Sequence, residues 1–295
     1  MGCRPVQAPT STAPVIATPG ATEATATPAA PTAPPDIAAL IRNAQYQLGV
    51  PDSLQVVQLQ DGKFEQGTAG GADYISVMLT DFIAAGDLDG DGSDEIAALI
   101  SENFGGTGVF VFLAIYRNVN GTATFLTSSV VDDRPQLNAL SIENGEVFLD
   151  AVIHGFEDPM CCPALRTTRH YRLANDQLDK SDYTTFTPDG RPRTITIESP
   201  ANGTEIFSTV QIKGSVAIAP FENNLTYSIK DGAGVELSRG AVAVDAPDLG
   251  APGTFDETIA MGSIISGAVV TIEIQDVSAA DGSLFAMDSV QLVVK

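Results

Sequence analysis

Short runs of β-forming residues in this chain are separated repeatedly by Asn-Gly or Asp-Gly. Asn120-Gly121, Asn144-Gly145, Asn202-Gly203, Asp231-Gly232 and Asp281-Gly282 each stand between such runs. Asn, Asp and Gly tolerate the left-handed backbone that a tight hairpin demands, so each pair predicts a reversal between antiparallel strands. Asn175-Asp176 predicts one more. The apolar run Val109-Phe110-Val111-Phe112-Leu113-Ala114-Ile115-Tyr116 has the length and composition of a strand buried on both faces. These features exclude a mostly helical fold and predict a mostly β one.

The strands fall into two groups. Thr187-Pro188-Asp189-Gly190-Arg191-Pro192 is a turn-rich interruption, after which Thr194-Ile195-Thr196-Ile197-Glu198 restarts an alternating pattern. We therefore expect a tether at 1–35, a first domain at 36–193 and a second at 194–295. The first reads as α+β. A short helix capped by Asp36, with Ile37, Leu40, Ile41 and Ala44 at helical spacing, precedes one antiparallel sheet of six or more strands. The second has many short strands and no helical stretch, which predicts a β-sandwich. It holds no Cys-Trp-Cys framework, so an antibody-type core is excluded.

Residues 1–35 contain nine Ala, eight Pro and seven Thr and no aromatic residue. Such a stretch cannot bury a core and favours an extended spacer. The opening Met1-Gly2-Cys3-Arg4-Pro5, followed by this tether, resembles the mature start of a bacterial lipoprotein. The resemblance implies a lipid on Cys3 that anchors the protein to a membrane surface, with the upstream signal segment cut away and Met1 supplied as a new start. Charge belongs to the folded parts: residues 36–193 hold 23 acidic and 10 basic residues, and 194–295 hold 13 and 4. The net charge of −22 would repel nucleic acid and anionic lipid. No apolar run reaches the roughly 18–20 residues of a spanning helix.

The sharpest chemical signal is Gly86-Asp87-Leu88-Asp89-Gly90-Asp91-Gly92-Ser93-Asp94-Glu95. Asp87, Asp89 and Asp91 occupy positions 1, 3 and 5 of a DxDxDG loop. Alternate residues of a tight loop can aim carboxylates at one point, and a hard dication such as calcium takes six to eight oxygens. Gly92 permits the turn, Ser93 at position 7 can offer its carbonyl, and Glu95 at position 9 can close the cage. Five carboxylates within nine residues would otherwise repel one another. An acidic hairpin loop that binds no metal is the competing reading. Position 12 is Ala98, so a helix–loop–helix EF-hand is excluded. Because the strand-forming Ile96–Ile100 follows directly, the loop resembles the calcium loops of FG-GAP and related β-propeller repeats. Those repeats come in arrays and only one copy is present, so a propeller is not expected. Asp94 points at a different phase and reads as a solvated neighbour.

The second unusual segment is His154-Gly155-Phe156-Glu157-Asp158-Pro159-Met160-Cys161-Cys162-Pro163. Three readings stand open for Cys161 and Cys162: a vicinal disulfide in an oxidising envelope, two free or separately occupied thiols, or a soft-metal site with Met160 and a histidine. Adjacent Cα atoms lie about 3.8 Å apart, below the usual disulfide range of about 4.4–6.8 Å. The Asp-Pro-Met-Cys-Cys-Pro string is similar to one in small actinobacterial and Chloroflexi-type lipoproteins. His154 and His170 read as sheet residues. Gly105-Gly106-Thr107-Gly108 precedes a strand and lacks the helix N-terminus that holds phosphate, so it reads as a turn. No nucleophile elbow, HExxH or Walker loop occurs.

Residues 194–295 resemble the immunoglobulin-like domain of bacterial spore-germination and related envelope lipoproteins. The matching residues are Ile195–Pro200 (ITIESP), Val210-Gln211-Ile212-Lys213-Gly214, Phe221-Glu222, Gly253-Thr254-Phe255 and Ser278-Ala279-Ala280-Asp281-Gly282-Ser283. The resemblance implies interaction or scaffolding at the cell envelope and lends no catalytic residue. The sequence therefore predicts a non-catalytic, lipid-anchored envelope protein with a structural calcium site and an envelope protein or glycan as partner. The alternative is an envelope hydrolase or redox protein that uses the acidic loop or Cys161 and Cys162.

Overall fold

The computed structural model describes residues 35–49, 55–262 and 266–295. Cys3 and nearly all of the tether lie outside the described residues. Helix α1 (Pro35–Arg42) leads into a two-stranded ribbon, β1 (Gln45–Gln47) and β2 (Val56–Gln58). Proline suits the first helical position, where its missing N–H would have had no partner. Asp36, expected ahead of the helix, consequently lies inside its first turn.

Five strands then form an antiparallel meander: β3 (Lys63–Gln66), β4 (Ile75–Gly86), β5 (Glu95–Asn103), β6 (Phe110–Val119) and β7 (Thr122–Asp133). Strands β5 and β6 lack apolar–polar alternation because both faces are covered. Ile96, Ala98, Ile100, Ala114 and Tyr116 pack with Ile41, Tyr46, Val57 and Leu59 of the helix–ribbon layer. Ala97, Leu99, Leu113 and Ile115 face the opposite way, onto Leu140, Val147, Leu149 and Tyr171. Those partners belong to a second group: β8 (Gln136–Glu143), β9 (Glu146–Ile153), β10 (Leu165–Ala174) and β11 (Gln177–Phe186). The single large sheet expected of residues 36–193 is thus two stacked sheets. Covering both faces of β5 and β6 requires a layer on each side.

The hairpins predicted at Asn120-Gly121, Asn144-Gly145 and Asn175-Asp176 form, whereas Asn202-Gly203 does not join an antiparallel pair, because the strands on either side of it lie in different sheets. Asn120 and Gly121 (φ 53° and 81°) join β6 to β7, Asn144 and Gly145 (54° and 78°) join β8 to β9, and Asn175 and Asp176 (52° and 57°) join β10 to β11. All six residues take the left-handed backbone that matches strand twist.

After β12 (Pro192–Arg193) come β13 (Ile195–Ser199), β14 (Thr204–Ile206), β15 (Thr209–Val216), β16 (Asn224–Asp231), β17 (Glu236–Ala243), β18 (Gly253–Ala260), β19 (Val269–Val277) and β20 (Leu284–Val294). Strands β13, β15 and β18 form one sheet of an immunoglobulin-like β-sandwich; β17, β16, β19 and β20, with β14 beside β20, form the other. Ile212, Val242, Phe255, Ile272 and Leu292 fill the space between. In the β16–β17 turn the left-handed glycine is Gly234, three residues past Asp231.

The two groups of strands keep separate hydrophobic cores but share a sheet. Strand β11 pairs with β20 through Asp182↔Asp288, Tyr183↔Met287 and Thr184↔Ala286, so one ten-stranded sheet runs from β17 to β8.

Candidate metal centre

The acidic loop is the β4–β5 connection, closed at its base by the pair Gly86↔Glu95. Gly90 and Gly92 adopt φ of 77° and 87°, values that side chains resist and that let the loop fold on itself. The Asp87 carboxylate holds this turn, accepting the Gly90 N–H at 2.7 Å and the Gly92 N–H at 3.0 Å. Asp89 accepts from the Asp91 N–H at 3.2 Å. Glu95 is fully buried and accepts the Leu88 N–H at 3.1 Å.

This folding brings carboxylate oxygens of Asp87, Asp89 and Glu95 within 4.8 Å of one another. A hard dication with oxygen ligands at about 2.3–2.6 Å requires ligand oxygens at such separations, so the three residues fit one. Each oxygen retains a lone pair beyond its backbone bond. Asp91 is not in that set of three; it is exposed and accepts the Ser93 N–H at 2.7 Å. Asp94 is exposed.

Sequence reading missed Arg117. It sits directly opposite Glu95 in the β5–β6 ladder. Its guanidinium lies 2.7 Å from Asp89, 3.4 Å from Glu95 and 3.4 Å from Asp176 of the β10–β11 turn. Burial raises the pKa of Glu95, against the pull of the Leu88 N–H, and Asp89 adds to the rise while Arg117 opposes it. Burial lowers the pKa of Arg117, but its bonds to Glu95 and Asp89 outweigh this and hold it above its ordinary value. The signal that could have found Arg117 is the hairpin register, which the intervening Phe104–Val109 loop conceals. That loop contains the glycine-rich turn, organised by Asn103, which donates to the carbonyls of Gly106 and Gly108 at 3.0 and 2.6 Å.

The cysteine segment connects β9 to β10. Asp158 ties its ends together, accepting the N–H groups of Gly155 at 2.8 Å and Ala164 at 2.7 Å, which hold its carboxyl below the usual range. His154 follows directly after β9. Its Nδ1 lies 3.0 Å from Asp132 and its Nε2 lies 3.3 Å from the Met160 carbonyl. The sulfurs of Cys161 and Cys162 are in bonding contact, with Cα atoms 3.8 Å apart. Among the described residues no third His, Cys, Asp or Glu joins them at metal-ligating distance. The two cysteines are exposed, as are Phe156 and Met160.

A second carboxylate cluster lies where β11 meets β20. Asp182 and Asp288 face each other in register, and His170 of β10 sits 3.6 Å from Asp182. Asp288 accepts the Ile197 N–H at 2.6 Å and the Ser289 N–H at 2.7 Å. Burial nevertheless pushes its carboxyl up to about 6, with Asp182 adding to the rise. The Asp182 carboxylate, accepting from the imidazole, raises the pKa of His170 despite the opposing effect of burial. These residues line a cleft of about 500 Å³.

Residues 194–283 match the family described as the immunoglobulin-like domain of bacterial spore germination. The match covers most of the C-terminal sandwich and agrees with an extracytoplasmic setting. No curated protein matches the chain.

Proposed function

We propose that this chain is a non-catalytic cell-envelope binding or scaffolding protein, anchored through a lipid on Cys3, whose acidic loop holds a structural calcium ion. The envelope reading is carried by the immunoglobulin-like match at 194–283, a module suited to presenting surfaces. The Gly2-Cys3 start and the Pro/Ala/Thr-rich tether support the anchor. The calcium reading is carried by the convergence of Asp87, Asp89 and Glu95. These three would hold the ion, with Asp91 and the Ser93 carbonyl completing the shell, and its charge would relieve the repulsion among them. Arg117 already lies among these carboxylates and would be its competitor. In the same reading Cys161 and Cys162 form an exposed vicinal disulfide in an oxidising compartment.

Thermal melting of the full chain with calcium and with chelator tests the ion. At a hundredfold excess over Kd, a one-site ligand stabilises by roughly 2.7 kcal/mol. We expect a higher melting temperature in calcium, and no rise in Asp89→Ala. Identical melts for the wild-type protein would leave Asp87–Glu95 as an acidic turn. Thiol labelling before and after mild reduction tests the cysteines; two labelled thiols before reduction would exclude the disulfide.

A further inference from the structure

A groove of about 610 Å³ lies beside the two-stranded ribbon. Its two walls differ in kind. One consists of the consecutive residues Gly121–Phe125, at the start of β7. Consecutive lining means that the strand presents its backbone edge. Strand β7 is the last in its sheet, so among the described residues that edge has no ladder partner. The other wall is the outward face of the ribbon. The register Gln45↔Gln58 and Gln47↔Val56 puts these four side chains on one side, while Tyr46 and Val57 turn into the core.

No lining residue of this groove is charged, although the chain carries 37 acidic and 15 basic residues. Sheet edges are ordinarily blunted by charges or proline. Strand β3, at the other end of the same sheet, carries Lys63 and Glu65, and the edge strand β17 carries Glu236 and Arg239. The Thr122–Phe125 edge carries neither kind of residue. The side chains of Gln45, Gln47, Thr122 and Thr124 make no hydrogen bond within the described residues. Phe125 is partly buried and packs edge-on to Tyr46 and Tyr116 at 5.6 and 5.7 Å.

We propose that this groove takes an extended, uncharged peptide strand from a partner, paired through its backbone to the free edge of β7 and contacting the glutamine face of β1 with alternate side chains. An added strand gains affinity from main-chain hydrogen bonds and selectivity from alternate side-chain contacts. An acidic segment would meet the field of a chain at −22, and a basic one would find no carboxylate in the lining. The inference rests on the binding-module reading but not on the calcium site.

The test pans a display library of random ten-residue peptides, charged and uncharged, against the full chain. We expect enrichment of uncharged sequences. The synthetic form of an enriched peptide should bind at least tenfold more weakly when alternate residues are N-methylated, which removes strand-pairing donors. Thr122→Lys and Gln47→Lys, both outside the buried core, should each weaken it at least tenfold with melting unchanged; Gln45→Lys replaces either variant if it misfolds. Failure to enrich any peptide, equal binding by the N-methylated form, or displacement by neutral oligosaccharides would each overturn the proposal. Peptide binding without a calcium-dependent melt would remove the calcium reading alone, and the converse would remove the groove alone.

Discussion

The acidic loop and the β11–β20 seam both crowd carboxylates together, but they are neutralised by different cations. At the loop, Asp89 and Glu95 meet Arg117, whose guanidinium keeps its charge at every accessible pH. At the seam, Asp182 lies opposite Asp288 and meets His170, whose pKa is held above its ordinary value. The first cluster can be altered by a competing cation. The second can be altered by protons. The choice of cation therefore decides which solution variable each region senses.

Removing the permanent cation should have the largest effect. Arg117→Ala leaves buried Glu95 without its ion pair, which should cost about 2–4 kcal/mol in chelator. Calcium should restore most of that loss, because it would serve the same carboxylates. Denaturant unfolding with and without calcium measures both quantities, and an equal loss in the two conditions would break the idea of competition.

The seam should respond next most strongly, and to pH. Asp288 and His170 both hold their protons more tightly in the folded chain. The Asp288 contribution is therefore complete below the ordinary carboxylate range and fades as pH rises through about 6. The His170 contribution is complete below the ordinary histidine value and fades as pH rises through its raised one. Asp133, Asp158 and Asp281, whose carboxyls are held low, act oppositely and only in more acidic solution. Between pH 4.5 and 8 the wild-type protein should lose about 2–3 kcal/mol at the seam. Asp288→Asn should flatten that slope in unfolding titrations, and an unchanged slope would move the effect elsewhere.

Smaller differences sharpen the contrast. Asp91→Ala should reduce the calcium-induced rise in melting temperature by less than Asp89→Ala does, since only Asp89 lies in the converging set. Asp189→Ala breaks the exposed Arg191 pair and should leave the melting temperature unchanged with either variable, because surface pairs contribute little.

Local chemistry was legible in the sequence and partner choice was not. Asn120-Gly121, Asn144-Gly145 and Asn175-Asp176 specify their hairpins because a left-handed pair of residues suffices to reverse a strand. The Val109–Tyr116 run specified burial on both faces, since nothing polar interrupts it. The stacking of β8–β11 as a separate layer left no local mark, because Leu140 and Leu149 would be buried equally well within a single sheet. The seam was equally hidden: Asp182 and Asp288 are far apart in sequence, and two opposed aspartates are not a pairing that strand propensities favour. At the candidate metal centre, the alternation of Asp87 and Asp89 and the phase of Glu95 were readable from spacing. Arg117 was not, because its place opposite Glu95 depends on a hairpin joined by a loop too long to fix register.

Strand β20 sits in the interior of the ten-stranded sheet, beside β19, β14 and β11, and it is the last strand in chain order. Thr185 donates to the Phe285 carbonyl at 2.7 Å across a separation of 100 residues. A chain delivered N-terminus first, at roughly 5–20 residues per second, thus leaves most of the β11 edge bare for about 5–20 s before its partner arrives. During that interval the first half is a folded template with an open seam, vulnerable to pairing with a neighbouring copy.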